Sequence, residues 1–288
     1  MKLTVAPNDM NNLDKLLENG TDAFIFGLKD FSVNYYELTI DEIKELSSKY
    51  SDVEFFISIN RTIYNKDLSS LENILNELND TCIKGVLFYD LGILSLYRKK
   101  VFKYDLVWHQ THMVTNYNTV NYYYDKGVKY SFLASEITKD EMIEIKKNTN
   151  MKLFSFLIGH PIMSHSKRHL LTNYYNSINE SYDGSEKTIF EKDNLYYIKE
   201  NKFGTSILEG SVVNGIDYLI ELKDNMIDYA VIHGGNISIE LLEELVRLTS
   251  DVIKNNSISS IEKIKDMIGN NTGFFDKKTI FRVKKNEE

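Results

Sequence analysis

The 288-residue chain is short of cysteine, of positive charge and of long apolar runs, and each shortage excludes something. Its one cysteine, Cys82, rules out a disulfide framework, a zinc site built on thiolates and a four-cysteine iron–sulfur cluster within this chain. Cys82 ends a predicted helix with no partner near it in sequence, which reads as a buried structural thiol rather than a nucleophile. No apolar run approaches the ~20 residues needed to cross a bilayer. The start, MKLTVAPNDM, lacks the apolar core and small-residue cleavage site of a signal peptide. A cytoplasmic protein with no membrane contact is the expectation. Lys plus Arg number 34 against 42 Asp plus Glu, a formal charge of −8. So charged, the protein does not grip nucleic acid with its whole surface, and any RNA contact has to be a local basic patch.

What is present is ordinary globular material. Apolar residues make up 42% and charged residues 26%, which argues against disorder. A chain of this length buries roughly 75% of the surface it exposes when unfolded and needs no staples. Short β-branched or aromatic runs alternate with segments of helical period. LTVA at 3–6 is a strand, followed by NDMNNLDKLLENG, in which Leu13, Leu16 and Leu17 share a face. AFIFG at 23–27 is the second strand, and TIDEIKELSSKY from Thr39 is a helix with a Thr cap and early acids. Strands follow at 54–60, 85–90, 105–110, 130–135, 152–160 and 228–234, with helical segments between them. The first seven strands start 20 to 31 residues apart, the spacing of strand–helix units in a parallel sheet. Eight such units predict a closed (β/α)₈ barrel in one domain spanning 1–288. No GxGxxG follows the first strand, which weakens the open dinucleotide-binding alternative.

One break in the rhythm stands out. Between His160 and Asp228 lie 67 residues, far more than one helix needs. Within an insertion at about 161–216, KTIFEKDNLYYIKEN reads as a β-hairpin turning around 192–194. Long excursions at the carboxyl ends of barrel strands shape substrate sites, so the hairpin is expected over the barrel mouth. A capping segment at about 270–288 ends the chain.

Functional side chains of such barrels gather where strands end. Here those residues are Asn60, Asp90, His109 with Gln110, Ser135 with Glu136, His160 and His233. With His112, His165 and His169, all six histidines fall just after the fifth, seventh or eighth strand. Polar strand ends also use histidine for plain hydrogen bonding, so the clustering alone assigns no role. A metal site would combine two or three of them with Glu136 or Asp90, yet His109-x-x-His112 is not the HxH of metal-dependent barrel hydrolases. A divalent metal is therefore open but not required. Glu136 is the best single acid, since partial burial would raise its pKa toward general-base duty. An acid at the start of the TKDEMIEI helix is the equal alternative. Lys167, Arg168 and His169 form a basic patch suited to a phosphate or carboxylate, or simply a solvated loop. Tyr122–Tyr124 on a helix reads as packing rather than a base-stacking platform.

The run GHPIMSHSKRHLLTNYYN at 159–176 resembles the signature of peptidase family U32, the collagenase-like proteases, through Gly159, Ser166, Arg168, Leu170, Leu171, Asn173 and Tyr174. The family's opening is similar to Ala6-Pro7…NGTDAFIFGLKDFS, and its next block to INRTIYNKDLSSLENIL, which begins beside Asn60. Its T-N…G…L-A-R-E block resembles TNYNTVNYYYDKGVKYSFLASE, including Asn116, Gly127 and Glu136. DYAVIHG and Thr272–Phe275 complete a likeness that runs in order along nearly the whole chain.

The resemblance implies a role in hydroxylation chemistry on tRNA, ribosomal RNA or quinones, despite the protease name. Many members carry four cysteines for an iron–sulfur cluster. Here the matching positions are Ile162, His169 and about Asn214, and two family arginines are Tyr130 and Ser135, while a family histidine is Ile158. The likeness is greatest to a short, cluster-less Gram-positive branch that occurs beside a longer paralogue and is linked to tRNA wobble-uridine 5-hydroxylation. Ser166-Lys167-Arg168 shares its feature of Lys before Arg. On this reading Glu136 and His160 are the catalytic candidates. Ser166, Lys167, Arg168, Asn173, Tyr174, Asn116 and Asn60 would bind substrate. No cofactor is held by cysteine, and the partners are tRNA and a second U32 chain, as homodimer or heterodimer. The alternatives are a peptidase or metal-dependent hydrolase, which no HExxH or GxSxG supports, and a non-catalytic partner subunit of the same fold.

Overall fold

The structure, a computed structural model, describes residues 1–192 and 194–277. The first strands are β1 (Lys2–Ala6), β2 (Ala23–Leu28), a two-residue β3 (Glu37–Leu38), β4 (Glu54–Ile59), β5 (Gly85–Phe88), β6 (Asp105–Trp108), β7 (Tyr130–Phe132) and β8 (Lys152–Gly159). Between them lie α1 (Leu13–Glu18), α2 (Ile40–Lys49), α3 (Leu68–Leu78), α4 (Leu91–Tyr97), α5 (Tyr117–Asp125) and α6 (Lys139–Lys147). After β8 the chain makes β9 (Ile162–Ser166), α7 (Leu170–Ser177), β10 (Lys187–Glu191), β11 (Asn194–Asn201), β12 (Gly204–Glu209) and β13 (Val213–Asn214). It then returns through α8 (Leu219–Asp224) to β14 (Tyr229–His233), and α9 (Ile239–Asn255) and α10 (Ile258–Ile268) follow.

β1, β2, β4, β5, β6, β7, β8 and β14 pair in parallel in that order, and β14 pairs back to β1, so the sheet closes into the predicted (β/α)₈ barrel. Both faces of each strand are covered, which is why β2 reads AFIFGL without a polar residue and is buried throughout. Alternate residues turn inward. Ile25, Phe56, Leu87, Val107, Tyr130, Phe154, Tyr229 and Val231 fill the interior, and Phe154 stacks on Tyr229 with ring centres 4.0 Å apart. The Tyr229 hydroxyl donates to Glu54, which Lys2 pairs at 2.7 Å, so the amino-terminal end of the barrel is plugged. The outward residues pack beneath the helices in one continuous apolar layer. Each such Leu, Ile or Phe contributes roughly 1.5–3 kcal/mol by leaving water.

The helices start where the sequence supplies caps. Thr39 with Glu42 and Thr138 with Glu141 form reciprocal capping boxes, and Asp90, Asn116 and Ser238 cap α4, α5 and α9. α7 and α10 have no counterpart in the sequence reading.

The insertion is larger than a hairpin. β10 and β11 form the expected antiparallel pair, but β12 and β9 extend it into a four-stranded sheet in the order β10-β11-β12-β9. α7 docks on this sheet through Glu200 of β11. Its carboxylate accepts from the Leu171 and Thr172 amides and from the hydroxyls of Thr172 and Thr205. The sheet lies over the barrel mouth as expected: Tyr197 meets His160 edge-on at 5.3 Å, Lys199 reaches Asn236, and Lys202 pairs with Asp30. β13 then pairs antiparallel with the end of β8, Val213 beside Gly159, and closes the excursion where it began.

The segment after α10 packs Phe275 on Tyr218 at 5.4 Å and accepts the Lys139 amide at the Phe275 carbonyl. The rest of the expected capping segment, 278–288, lies outside the described residues. Cys82 corrects the sequence reading. It is exposed in the turn after α3 rather than buried, because the helix ends at Leu78 and the side chain that packs inward there is Ile83.

Candidate functional site

The carboxyl ends of the barrel strands enclose a cavity of about 50 Å³, room for a few waters. Its walls include Asn34, Tyr35, Asn60, His109, Phe132, Phe156, His160 and His233. Sequence dictates this geometry locally, because β14 ends in His233 and the buried runs of β6 and β8 are each followed directly by a histidine, His109 and His160. Gly159 makes the turn out of β8 at φ +143°. A Cβ there would stand 2.7 Å from the His233 carbonyl oxygen, so only glycine lets the two strand ends approach.

Three histidines line this cavity in their neutral forms. Burial pushes the His233 imidazole down to about 4, and its Nδ1 accepts from the Gly235 amide. His109 is likewise pushed down to about 4 by burial, with a smaller effect from His233, and its ring stacks on Phe132 at 4.5 Å. Burial also lowers His160, whose Nδ1 lies 2.8 Å from the Glu209 carbonyl oxygen and is therefore its protonated nitrogen. His109 Nδ1 is shielded and has no partner among the described residues. Neutral rings of this kind offer hydrogen bonds rather than charge. Among the described residues, no three His, Cys, Asp or Glu side chains come together as a metal would require.

A second, larger cleft of about 280 Å³ opens beside the first, between the barrel rim and β9. Asn60, Thr111 and Ile162 border both spaces. Asn60 clamps the loop after β2: its Oδ1 accepts from Ser32 Oγ and the Val33 amide, and its Nδ2 donates to the Val33 carbonyl. At the edge of the cleft the Lys167 ammonium donates to the Thr62 carbonyl and sits 3.3 Å from the centre of the Tyr64 ring. Ser166 Oγ accepts the Arg168 amide, while the Arg168 side chain is exposed and its guanidinium makes no contact among the described residues.

Glu136 borders an adjoining crevice and lies 3.0 Å from His112 Nδ1. Its side chain is 38% exposed, so it sits as a rim carboxylate hydrogen-bonded to the imidazole. The structure thus brings His160, Asn60, Lys167 and, one crevice away, Glu136 to the mouth. Asn116, Asn173 and Tyr174 line neither cavity. Asn116 spends its side-chain oxygen on the Thr119 amide and hydroxyl as the cap of α5, and Asn173 and Tyr174 are exposed on α7.

Sequence reasoning missed Arg61. It is buried between Phe31 and Phe203, with its guanidinium carbon 4.4 and 5.2 Å from the two ring centres, and it pairs with Asp67 at 3.1 Å. It ties the β4 loop to the insertion, and its one signal was its place directly after strand-end Asn60.

The model of "Peptidase family U32" matches residues 8–272. The chain belongs to this family. It is similar to tRNA hydroxylation protein P2 of Bacillus subtilis, at 28% identity over 97% of this chain and 99% of that protein. It is also similar to tRNA hydroxylation protein P1 of the same organism, at 23% identity over 84% of this chain and 61% of the longer relative. A third relative, tRNA hydroxylation protein P of Haemophilus influenzae, is 24% identical over 58% of this chain and 37% of its own length. Among solved structures, 3-hexulose-6-phosphate synthase aligns over 88% of this chain and 98% of its own, with 9% identity and a TM-score of 0.47.

The family's iron–sulfur cluster does not fit the donor set here. Ile162 is an apolar wall of both cavities, and His169 heads α7 beside Glu200. Asn214 is buried, with its amide nitrogen on the Gly269 carbonyl. Those positions supply no thiolate, and Cys82 lies in the turn after α3. No helix among the described residues is long and apolar enough to cross a membrane.

Proposed function

We propose that this U32 protein supports 5-hydroxylation of the tRNA wobble uridine in the cytoplasm, in company with a longer, cluster-bearing paralogue. The observation that carries the reading is the end-to-end match to B. subtilis P2, which covers 97% of this chain and 99% of that protein. The existence of P1 beside P2 in one organism supports the two-chain arrangement. In this arrangement the present chain would hold and orient RNA, and the paralogue's cluster would supply the redox chemistry.

The site chemistry agrees with such a division. Lys167 and the unpaired Arg168 offer charge-assisted hydrogen bonds to phosphate, and the neutral histidines below them offer hydrogen bonds without repelling a neutral base. His112, oriented by Glu136, is a rim imidazole with a carboxylate behind it, an arrangement that can take and return a proton. The net charge of −8 confines RNA contact to this patch.

The test is mass spectrometry of tRNA nucleosides from a deletion strain, its parent, and strains carrying Arg168→Ala or Glu136→Ala. Loss of 5-hydroxyuridine-derived nucleosides on deletion is expected, with partial loss in the point variants. An unchanged profile in a strain that also lacks any redundant paralogue overturns the reading. Affinity purification of the tagged chain tests the partnership, and co-purification of the longer U32 paralogue is expected.

A further inference from the structure

We infer that the cleft between β9 and the barrel rim, rather than the central cavity, receives the extruded pyrimidine base of the wobble nucleotide. This rests on the tRNA reading above and adds to it the place where the base is held. The central cavity, at about 50 Å³, has room for waters but not for a six-membered ring with its substituents. The cleft, at about 280 Å³, falls just below the ~300–1,000 Å³ of pockets for drug-sized ligands and suits a single base.

Its lining has the chemistry that base recognition requires. Tyr89, Met163, Ile162 and Val33 give it apolar and aromatic surface, and a flipped base is held by stacking between such groups. Thr111 and Ser164 add hydroxyl groups to the lining, small donors and acceptors of the kind that read a pyrimidine edge. His165 is kept neutral by burial. Its Nδ1 is engaged by Ser206 Oγ at 2.9 Å, and its shielded Nε2 has no partner among the described residues.

Charge supports the same occupant. None of the cleft's lining residues carries a carboxylate, although acids outnumber Lys and Arg by 42 to 34 over the chain. A cation at its edge, Lys167, hydrogen-bonds the carbonyl of Thr62, itself a lining residue. A base seated in the cleft would therefore leave its 5′ or 3′ phosphate beside Lys167 and within the reach of a turn of chain from Arg168. Met163 is 41% exposed and Ser164 is exposed, so this wall is open to a ligand arriving from solvent.

The experiment uses a synthetic anticodon stem-loop with uridine at the wobble position, and the same stem-loop with an abasic wobble site. Each is titrated by fluorescence anisotropy against the full chain, alone and with its paralogue, and against Ser164→Trp. That variant places an indole in the cleft from an exposed position, and its fold is checked by circular dichroism. The wild type is expected to bind the uridine stem-loop about tenfold tighter than the abasic one, and Ser164→Trp to bind both at the weaker affinity. Equal affinity of the wild type for the two RNAs overturns the cleft assignment and leaves the tRNA reading standing. A tenfold preference that survives in Ser164→Trp also overturns it, because the base is then held elsewhere. Binding of neither RNA, with or without the paralogue, overturns the assignment and the tRNA reading together.

Discussion

At the scale of single residues, the mouth is built from groups held uncharged. His109 and His233 stay neutral well below the ordinary histidine range because burial opposes charging them. In the unfolded chain both take a proton near 6.5, while in the folded chain they do so only near 4. The unfolded state therefore binds more protons between those values, and stability falls as pH drops from about 6.5 toward 4. Each histidine contributes about 1.4 kcal/mol per pH unit to that slope. Urea denaturation at a series of pH values checks this, and His109→Gln is expected to make the slope shallower by one histidine's share. A slope that His109→Gln leaves unaltered would show that the ring is not protected in the native state. Asn60 and His160 were legible as strand ends because a strand's polarity pattern marks where it stops. Arg61, Tyr35 and Thr111 were not, because they reach the mouth through loops whose course depends on contacts made elsewhere in the chain.

Among the elements, the eight barrel strands were readable because each is a short, largely apolar run bounded by polar residues, and most are followed by a helix with a capping residue at its start. β9, with the sequence IMSHS, carries no such pattern. It is a half-exposed strand paired with β12, some forty residues further on, and pairing of that range leaves little local trace. α10 did carry a signal, with Ile258, Ile261, Ile264 and Ile268 at helical spacing behind a Ser257 cap. α7 depends on a single distant carboxylate. Glu200, its side chain 3% exposed, satisfies the first amides of the helix from a neighbouring strand. Removing it leaves those donors shielded and unpaired, a cost of about 1–3 kcal/mol. Hydrogen exchange read by mass spectrometry should show Glu200→Ala speeding exchange through α7 while the barrel strands keep their protection. Unchanged protection of α7 would mean that the Thr205 hydroxyl, which accepts the Leu170 amide, suffices as the cap.

For the whole molecule, an acidic protein with a small cationic rim makes a clear statement about salt. Each phosphate neutralised by a lysine or arginine adds about −0.9 to the slope of log affinity against log salt for duplex and about −0.7 for single strands. Binding of the stem-loop is expected to show a shallow slope, of a few contacts only. Lys167→Ala and Arg168→Ala should each reduce it by somewhat under one. A steep slope that neither substitution alters would place the RNA on another face of the protein.

The point at which the insertion leaves and rejoins the barrel has a consequence of its own. The chain departs after Gly159 and returns at Val213, and these two residues are cross-strand partners on adjacent antiparallel strands. The excursion is thus hung on a single hinge of backbone, like an appliance plugged into one socket. Evolution can exchange, enlarge or trim such an attachment without moving any other strand, since a short linker spans the same gap with little entropic penalty. A chain in which a few flexible residues replace 161–212 should still fold, with the circular dichroism of a (β/α)₈ barrel. What it should lose is the ability to tell one RNA from another.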